Sequence, residues 1–557
     1  MRLPPCILAL CLAVLPPAAA QTVRIDVDAS KSLGPLKPVW SFFGYDEPNY
    51  TYMKDGRKLL SELAALSPVT VYVRAHNLLT TGDGTAALKW GSTNAYTEDS
   101  NGNPVYDWTI VDRIFDTYIE RQMKPLVEIG FMPEALSVQP QPYRHTWGPD
   151  QPYANIYTGW AYPPKDYEKW AELVYHWVRH CAERYGQEEV ESWYWEPWNE
   201  PNIGYWKGTP EEYHKLYDYS VDAVKRALPQ ARVGGPHSTG PRGDRAAEFL
   251  RGFLEHVIRG KNYATGETGS PIDYIGFHAK GRPVVVGEHV QMGINSQLQD
   301  ISRGFEIVAS FPELRNLPII LGESDPEGCA ACSMRLHPQN GYRNGTMYSS
   351  YTAAAFARKH DLAARHAVRF EGAVTWAFEF EDQRYFDGFR DLATNGVDKP
   401  VLNVFRMFGM MGRERVEAKS SGAADLETML EKGVKEQPDI NALASRGERS
   451  IAVMVWNYHD DDLPAPAARV ELSIGGVGDD RVLVHHYRVD GEHGNSYEVW
   501  KRMGEPQSPT PEQYAQLESA GQLALTGSPE WRNVNEGKLG IQFALPRQGV
   551  SLLKLSW

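Results

Sequence analysis

Eight times between residues 38 and 400 a short apolar run is followed by a longer stretch, and that alternation leaves the chain very few folds. The runs that read as strands are 39–44, 69–75, 125–130, 191–198, 232–235, 272–278, 318–322 and 372–378. Between the third and fourth, Trp170, Leu173, Val174, Trp177, Val178 and Cys181 recur at helical spacing across 167–185. Thr209-Pro210-Glu211-Glu212 is a capping box with proline at the first helical position, so a further helix starts there. Strands and helices alternating in eight units predict an α/β fold, a (β/α)8 TIM barrel over 38–400. A doubly wound sheet alternates in the same way, but it carries a glycine-rich phosphate loop after its first strand. None follows 39–44.

Beyond residue 400 the texture changes. Runs at 451–456, 469–474, 481–487 and 550–555 read as strands between polar turns, and 505–517 as a proline-rich loop entering a short helix. This predicts an all-β sandwich accessory domain over 401–557, joined by 21–37, where 23–28 alternates apolar and polar residues. Gly475-Gly-Val-Gly478 reads as a turn, and His459-Asp-Asp-Asp462 as a solvated hairpin tip. Neither repeats nor a low-complexity linker separates the domains. Residues 1–20 read as a cleavable signal peptide: Arg2, an apolar stretch over 7–15, then Ala18-Ala19-Ala20. That stretch is too short to span a bilayer, so a secreted or periplasmic protein is expected. In such a compartment Cys329 and Cys332 should form a local disulfide, since a zinc site needs two further ligands. Cys181, on a helix, should be a buried small hydrophobe.

With 57 Lys and Arg against 71 Asp and Glu, the chain carries a net charge of −14, which disfavours capture of nucleic acid or an anionic membrane. It is rich in Trp (16) and Tyr (29), whose faces can stack on sugar rings. Trp195-Glu-Pro-Trp-Asn-Glu-Pro-Asn202 follows the fourth strand, at the mouth where barrel enzymes place their sites. There Glu200 can serve as general acid and base, and Asn199 can hydrogen-bond a sugar 2-hydroxyl. Glycoside hydrolysis works through two carboxylates, and Glu323 ends the seventh strand, across the mouth from the fourth. Two such strand ends can bring their carboxyl groups to the ~5–5.5 Å of a retaining enzyme. Arg74 and His76 join this rim after the second strand, His278 and Lys280 after the sixth, and Glu379, Glu381 and Asp382 after the eighth. Trp376, on the eighth strand, could offer a stacking face. A buried Lys280 needs a partner; if Asp325 supplies it, the pocket suits a neutral sugar.

Trp198-Asn-Glu-Pro-Asn202, Val233-Gly-Gly-Pro236, Asp273-Tyr-Ile-Gly-Phe-His278, Ile320-Leu-Gly-Glu323, Lys399-Pro-Val-Leu402 and Trp500-Lys-Arg-Met-Gly-Glu-Pro506 together resemble family 39 of the glycoside hydrolases, over nearly the whole chain. The resemblance implies a retaining enzyme with Glu200 as acid/base, Glu323 as nucleophile, and neither metal nor organic cofactor. It implies that His76, Asn199 and His278 contact the sugar, with Glu381 or Asp382 accepting a hydroxyl. The family is known chiefly for β-xylosidases and α-L-iduronidases. The expected activity is exo-release of β-linked xylose from the non-reducing end of plant-wall oligosaccharides. The alternatives are an iduronidase-like or arabinosidic hydrolase, and a non-catalytic sugar-binding protein that kept the barrel. Glu323-Ser-Asp-Pro326 and His278-Ala-Lys-Gly281 look more like the iduronidase branch, where Arg282 and Arg390 are candidates for a second cation.

Overall fold

A computed structural model of the protein describes residues 21–66, 68–376 and 378–557; the expected signal peptide lies outside the described residues. Eight strands close a barrel: β1 (Phe42–Tyr45), β2 (Tyr72–Ala75), β3 (Lys124–Glu128), β4 (Tyr194–Glu196), β5 (Arg232–Ser238), β6 (Tyr274–Phe277), β7 (Ile319–Leu321) and β8 (Phe370–Trp376). Each runs parallel to the next, and β8 pairs with β1. They lie within three residues of the ends predicted from sequence. The helices that follow them are Lys54–Ala64, Thr109–Ile119, Tyr167–Tyr185, Pro210–Ala227, Asp244–Arg259, Ile294–Ala309, Thr346–His366 and Pro400–Gly409. The Thr209 capping box forms, with Thr209 Oγ1 accepting from Glu212 N and Glu212 Oε2 from Thr209 N.

Strand alternation sends every second side chain into the lumen. Phe42, Tyr72, Leu126, Tyr194, Tyr274, Ile320, Val374 and Trp376 meet there as one cluster. Two glycines make room for these rings. A Cβ at Gly234 would lie 2.5 Å from the Tyr274 ring, and one at Gly44 would lie 2.4 Å from the Trp376 ring. The alternate, outward residues form the larger core beneath the helices.

Apart from three two-stranded hairpins in the loops, the remaining strands among the described residues make one ten-stranded sheet. Thr22–Pro35 joins it, parallel to Ala468–Gly475 and antiparallel to Glu414–Ser420. Val23, Ile25, Val453, Val455, Val470, Leu472, Leu553 and Leu555 are buried against one another and not against the barrel. The sheet is therefore folded over on itself as a sandwich. On the other face of its middle strands, Leu443, Met454, Trp456 and Leu552 belong to the barrel's core, against helix Thr346–His366. That helix, with apolar neighbours on nearly every side, is the seam between the domains. Strands Glu414–Ser420, Asp439–Gly447 and Lys538–Leu545 add to those read from sequence. No helix among the described residues is long and apolar enough to cross a membrane.

The loop at His459–Asp462 departs from expectation. It is no solvated tip: Asp460 is fully buried and accepts hydrogen bonds from Tyr458 Oη (2.6 Å), Val434 N (2.9 Å) and Ile294 N (3.2 Å). The last of these caps the helix Ile294–Ala309, whose N-cap residue, Gly293, has no side chain to do so. The sandwich thus holds one end of a barrel helix. Asp460→Ala strips three buried donors of their acceptor at once, and should cost about 2–4 kcal/mol. A fall in the urea unfolding midpoint would measure it; an unchanged midpoint would show that the contact carries no stability.

Candidate active site

The turn after β4 presents Glu200 with its backbone in the left-handed region, φ 44°, a conformation that costs a non-glycine residue about 1–2 kcal/mol. Its surroundings enforce it. Glu200 N donates to the carbonyl of His237 (3.0 Å), Trp198 Nε1 donates to the carbonyl of Tyr205 (2.9 Å), and Asn202 exchanges hydrogen bonds with Thr239. Glu323 leaves β7 directly after Gly322, where a Cβ would lie 2.0 Å from His237 Nδ1 and 3.0 Å from His278 Nε2. Glycine there lets both imidazoles pack behind the carboxylate. One carboxylate oxygen of Glu200, one of Glu323 and a ring nitrogen of His278 all lie within 4.8 Å of one another.

The two carboxyl groups sit in opposite electrostatic surroundings. Burial by itself would raise Glu323, but Lys280, His278, Arg74 and His76 outweigh it and hold the group well below the usual carboxylate range. Lys280 Nζ lies 2.6 Å from Glu323 Oε2, and Arg74 Nη1 lies 3.3 Å from Oε1. Burial and the Glu323 charge push Glu200 up to about 7, against the opposing pull of Lys280, His76 and Arg74. His278, brought down to about 3 by burial, is a neutral imidazole with Nδ1 2.9 Å from Glu200 Oε1. These three side chains also have the spacing of metal ligands, and Lys280 lies on the other oxygen of Glu323, Oε2, at 2.6 Å.

A second layer of ion pairs lies beneath, and sequence reasoning missed most of it. Arg74 is fully buried; it donates to Glu196 Oε1 from Nε (2.6 Å) and to Asn199 Oδ1 from Nη2 (3.0 Å), and its Nη2 lies 3.2 Å from Glu128. His76 meets Asp46 through Nδ1 (2.8 Å) and Glu128 through Nε2 (3.0 Å). Lys89, from the loop after β2, lies 2.7 Å from Asp46. Burial pushes Glu128 well above the usual range despite Arg74, so it is the neutral member. Asp46, Glu128 and Glu196 stand at the C-terminal ends of barrel strands, a signal available in the sequence. Lys89 has none.

Among the residues expected at the site, His76, Asn199, His278 and Lys280 converge on the two carboxyl groups. Asn199 is buried, and its Nδ2 lacks any partner among the described residues. Lys280 donates to Asp325 Oδ1 (2.9 Å) and Oδ2 (3.1 Å). Trp376 is covered by His76 (4.4 Å between ring centroids) and by the Arg74 guanidinium 5.0 Å from its ring; its indole donates to Asp46 Oδ2 (3.2 Å). It is the floor of the site rather than an open stacking face. Glu381 and Asp382 fall elsewhere. Glu381 accepts from the backbone N–H groups of Asp55 and Gly56, which caps helix Lys54–Ala64, and Asp382 is exposed. Neither contacts Glu200 or Glu323, because the chain turns away from the mouth after Phe378. Arg282 is exposed, whereas Arg390 is buried and paired with Asp325. Cys329 and Cys332 form a disulfide whose loop holds Arg390: Arg390 N donates to Ala330 O (2.8 Å) and Nη2 to Gly328 O (3.1 Å). Cys181 is buried and free.

The sequence profile of glycosyl hydrolases family 39 matches residues 23–534. A beta-xylosidase of Geobacillus stearothermophilus is 26% identical over 493 residues, covering 87% of this chain and 86% of that protein. An alpha-L-iduronidase of Mus musculus is 24% identical over 534 residues, covering 88% of this chain and 75% of that protein. A crystal structure of the bacterial orthologue of human α-L-iduronidase shares the fold at a TM-score of 0.75 and 19% identity, covering 97% of this chain and 84% of that one. The chain belongs to glycosyl hydrolases family 39.

Proposed function

We propose that the protein is a retaining exo-glycosidase in which Glu323 is the nucleophile and Glu200 the acid/base. The observation that carries this reading is the Glu200–Glu323 approach within 4.8 Å, joined to their opposed protonation. An inverting pair stands ~6.5–9.5 Å apart to admit a water. Glu323, ionised beside Lys280 and Arg74, attacks the anomeric carbon while the Glu200 proton passes to the departing oxygen. Glu200, now a carboxylate, then takes a proton from water as that water releases the sugar from Glu323. Exo action is part of this proposal; the ion pair between Arg335 and Asp150 (2.7 Å), which joins the loop after β7 to the loop after β3, is compatible with a pocket closed at one end. Residues 1–20 would export the enzyme to an extracellular or periplasmic oligosaccharide.

The sugar we propose is neutral: xylose, β-linked at the non-reducing end. Each buried cation at the mouth already has a carboxylate, Lys280 with Glu323 and Asp325, Arg390 with Asp325, Arg74 with Glu196, and Lys89 with Asp46. A uronate would bring an uncompensated charge into that balance. A second reading, an iduronidase-like hydrolase, is favoured by one feature: Lys280 and Arg390 converge on a single carboxylate, Asp325, and a substrate carboxylate could share them.

Glu323→Ala should lower turnover about 10,000-fold. Glu200→Ala should slow substrates with poor leaving groups by about 100- to 10,000-fold, and azide should restore release of the sugar. In the wild type, kcat/KM should fall as pH rises through about 7, because the acid form of Glu200 is lost; Glu200→Gln should abolish that limb. Proton NMR showing the inverted anomer as first product would refute the scheme. For the sugar, 4-nitrophenyl β-D-xyloside should be hydrolysed and 4-methylumbelliferyl α-L-iduronide should not. The reverse result, lost on Lys280→Met, would establish the second reading.

A further inference from the structure

We infer that Gln297 is a positioning residue that sets the Lys280 ammonium against Glu323 from behind the barrel wall. The ladder between the sixth and seventh strands continues past their ends, with Ala279 N donating to Glu323 O (2.9 Å) and Gly281 N to Asp325 O (3.1 Å). Along such a ladder side chains alternate between the two faces. His278, Lys280, Glu323 and Asp325 therefore share the inner face, while Ala279 and Ser324 face the helices. Gln297, fully buried on helix Ile294–Ala309, reaches both of those outer residues. Its Nε2 donates to Ala279 O (3.2 Å) and to Ser324 Oγ (3.4 Å), and its Oε1 accepts from Tyr351 Oη (2.9 Å) on helix Thr346–His366. Lys359, also buried, donates to Ser324 O (3.3 Å).

One amide thus fastens the residue between His278 and Lys280 to the residue between Glu323 and Asp325, while Tyr351 keeps the amide from turning over. No other side chain hydrogen-bonds to the Ala279 carbonyl among the described residues. Without Gln297 the Ala279 carbonyl loses its side-chain donor and the two strand ends lose their common tie, and on this inference the 2.6 Å contact between Lys280 and Glu323 lengthens. Asp460 fixes the N-terminus of the same helix, so the sandwich helps hold the amide in place.

The kinetic part of the inference rests on the acid/base role proposed for Glu200. Lys280 opposes the rise in the Glu200 pKa, so its retreat should move the alkaline limb of kcat/KM upward. Loss of packing alone reduces the active fraction and leaves that limb in place. The test compares Gln297→Leu and the milder Tyr351→Phe with the wild type, on the 4-nitrophenyl glycoside that the wild type hydrolyses, after thermal melts show both folded. For Gln297→Leu, kcat should fall about 10- to 100-fold with KM within about threefold. The alkaline limb should rise by about half a pH unit. Tyr351→Phe should shift both in the same direction by less, and it decides the matter alone if Gln297→Leu does not fold. A folded variant with wild-type kcat and limb overturns the inference. So does a crystal structure of either variant that keeps the Lys280–Glu323 contact, and that readout does not depend on any catalytic role. Should Glu200→Gln retain the alkaline limb, the acid/base reading fails and the crystal structure alone decides on Gln297.

Discussion

The ammonium of Lys280, held between Glu323 and Asp325 at the mouth of the barrel, is the contact on which the rest of the site depends. Taking an ion out of water costs several kcal/mol even after relaxation, and the cost is met only where partners and hydrogen bonds are already in place. Here Lys280, Arg390, Arg74 and Lys89 are set against Glu323, Asp325, Glu196 and Asp46, all at or near strand ends or in the loops just after them. Only a closed barrel brings that many strand ends to one point. The site is therefore a product of the whole fold, and few of its charges could be removed singly without leaving a partner unpaired.

The same field does two jobs. Positive charge concentrated on Glu323 keeps it ionised, and the Glu323 charge together with burial keeps Glu200 protonated near neutral pH. Two identical side chains, some 120 residues apart in sequence, acquire different chemistry because one faces Lys280 and the other faces a neutral His278. The left-handed backbone at Glu200 shows that the fold bears local strain to place that group.

Much of this was legible in the sequence, for identifiable reasons. Barrel strands are buried on both faces and read as short apolar runs, so all eight stood out, and with them the polar residues just beyond, Glu200, His278, Lys280 and Glu323. The Lys280–Asp325 pair followed from the cost of an unpaired buried amine. What could not be read depends on how loops turn. Glu381 and Asp382 follow strand eight as Glu200 follows strand four, yet the chain leaves the mouth and Glu381 ends as a helix cap. Lys89 comes from a loop with no periodicity, and Asp460 sits in a run of three aspartates that gives no sign of burial. Strand Glu414–Ser420 buries only Val416 fully and so has no apolar run to find. Lys538–Leu545 does carry an alternation, with Leu539, Ile541 and Leu545 turned inward, and was open to being read.

The central claim is that buried positive charge, Lys280 foremost, holds Glu323 ionised, while burial and the Glu323 charge hold Glu200 protonated. Carbon-13 NMR of the enzyme labelled at glutamate side-chain carboxyls, with Glu200→Gln and Glu323→Gln used to assign the signals, measures this without any substrate. The account predicts that Glu200 titrates near 7 while Glu323 stays ionised down to the lowest pH at which the protein remains folded. It also predicts that Glu200 titrates higher still in Lys280→Met. Two carboxyls titrating together in the ordinary range of about 4–5, unmoved by Lys280→Met, would contradict it.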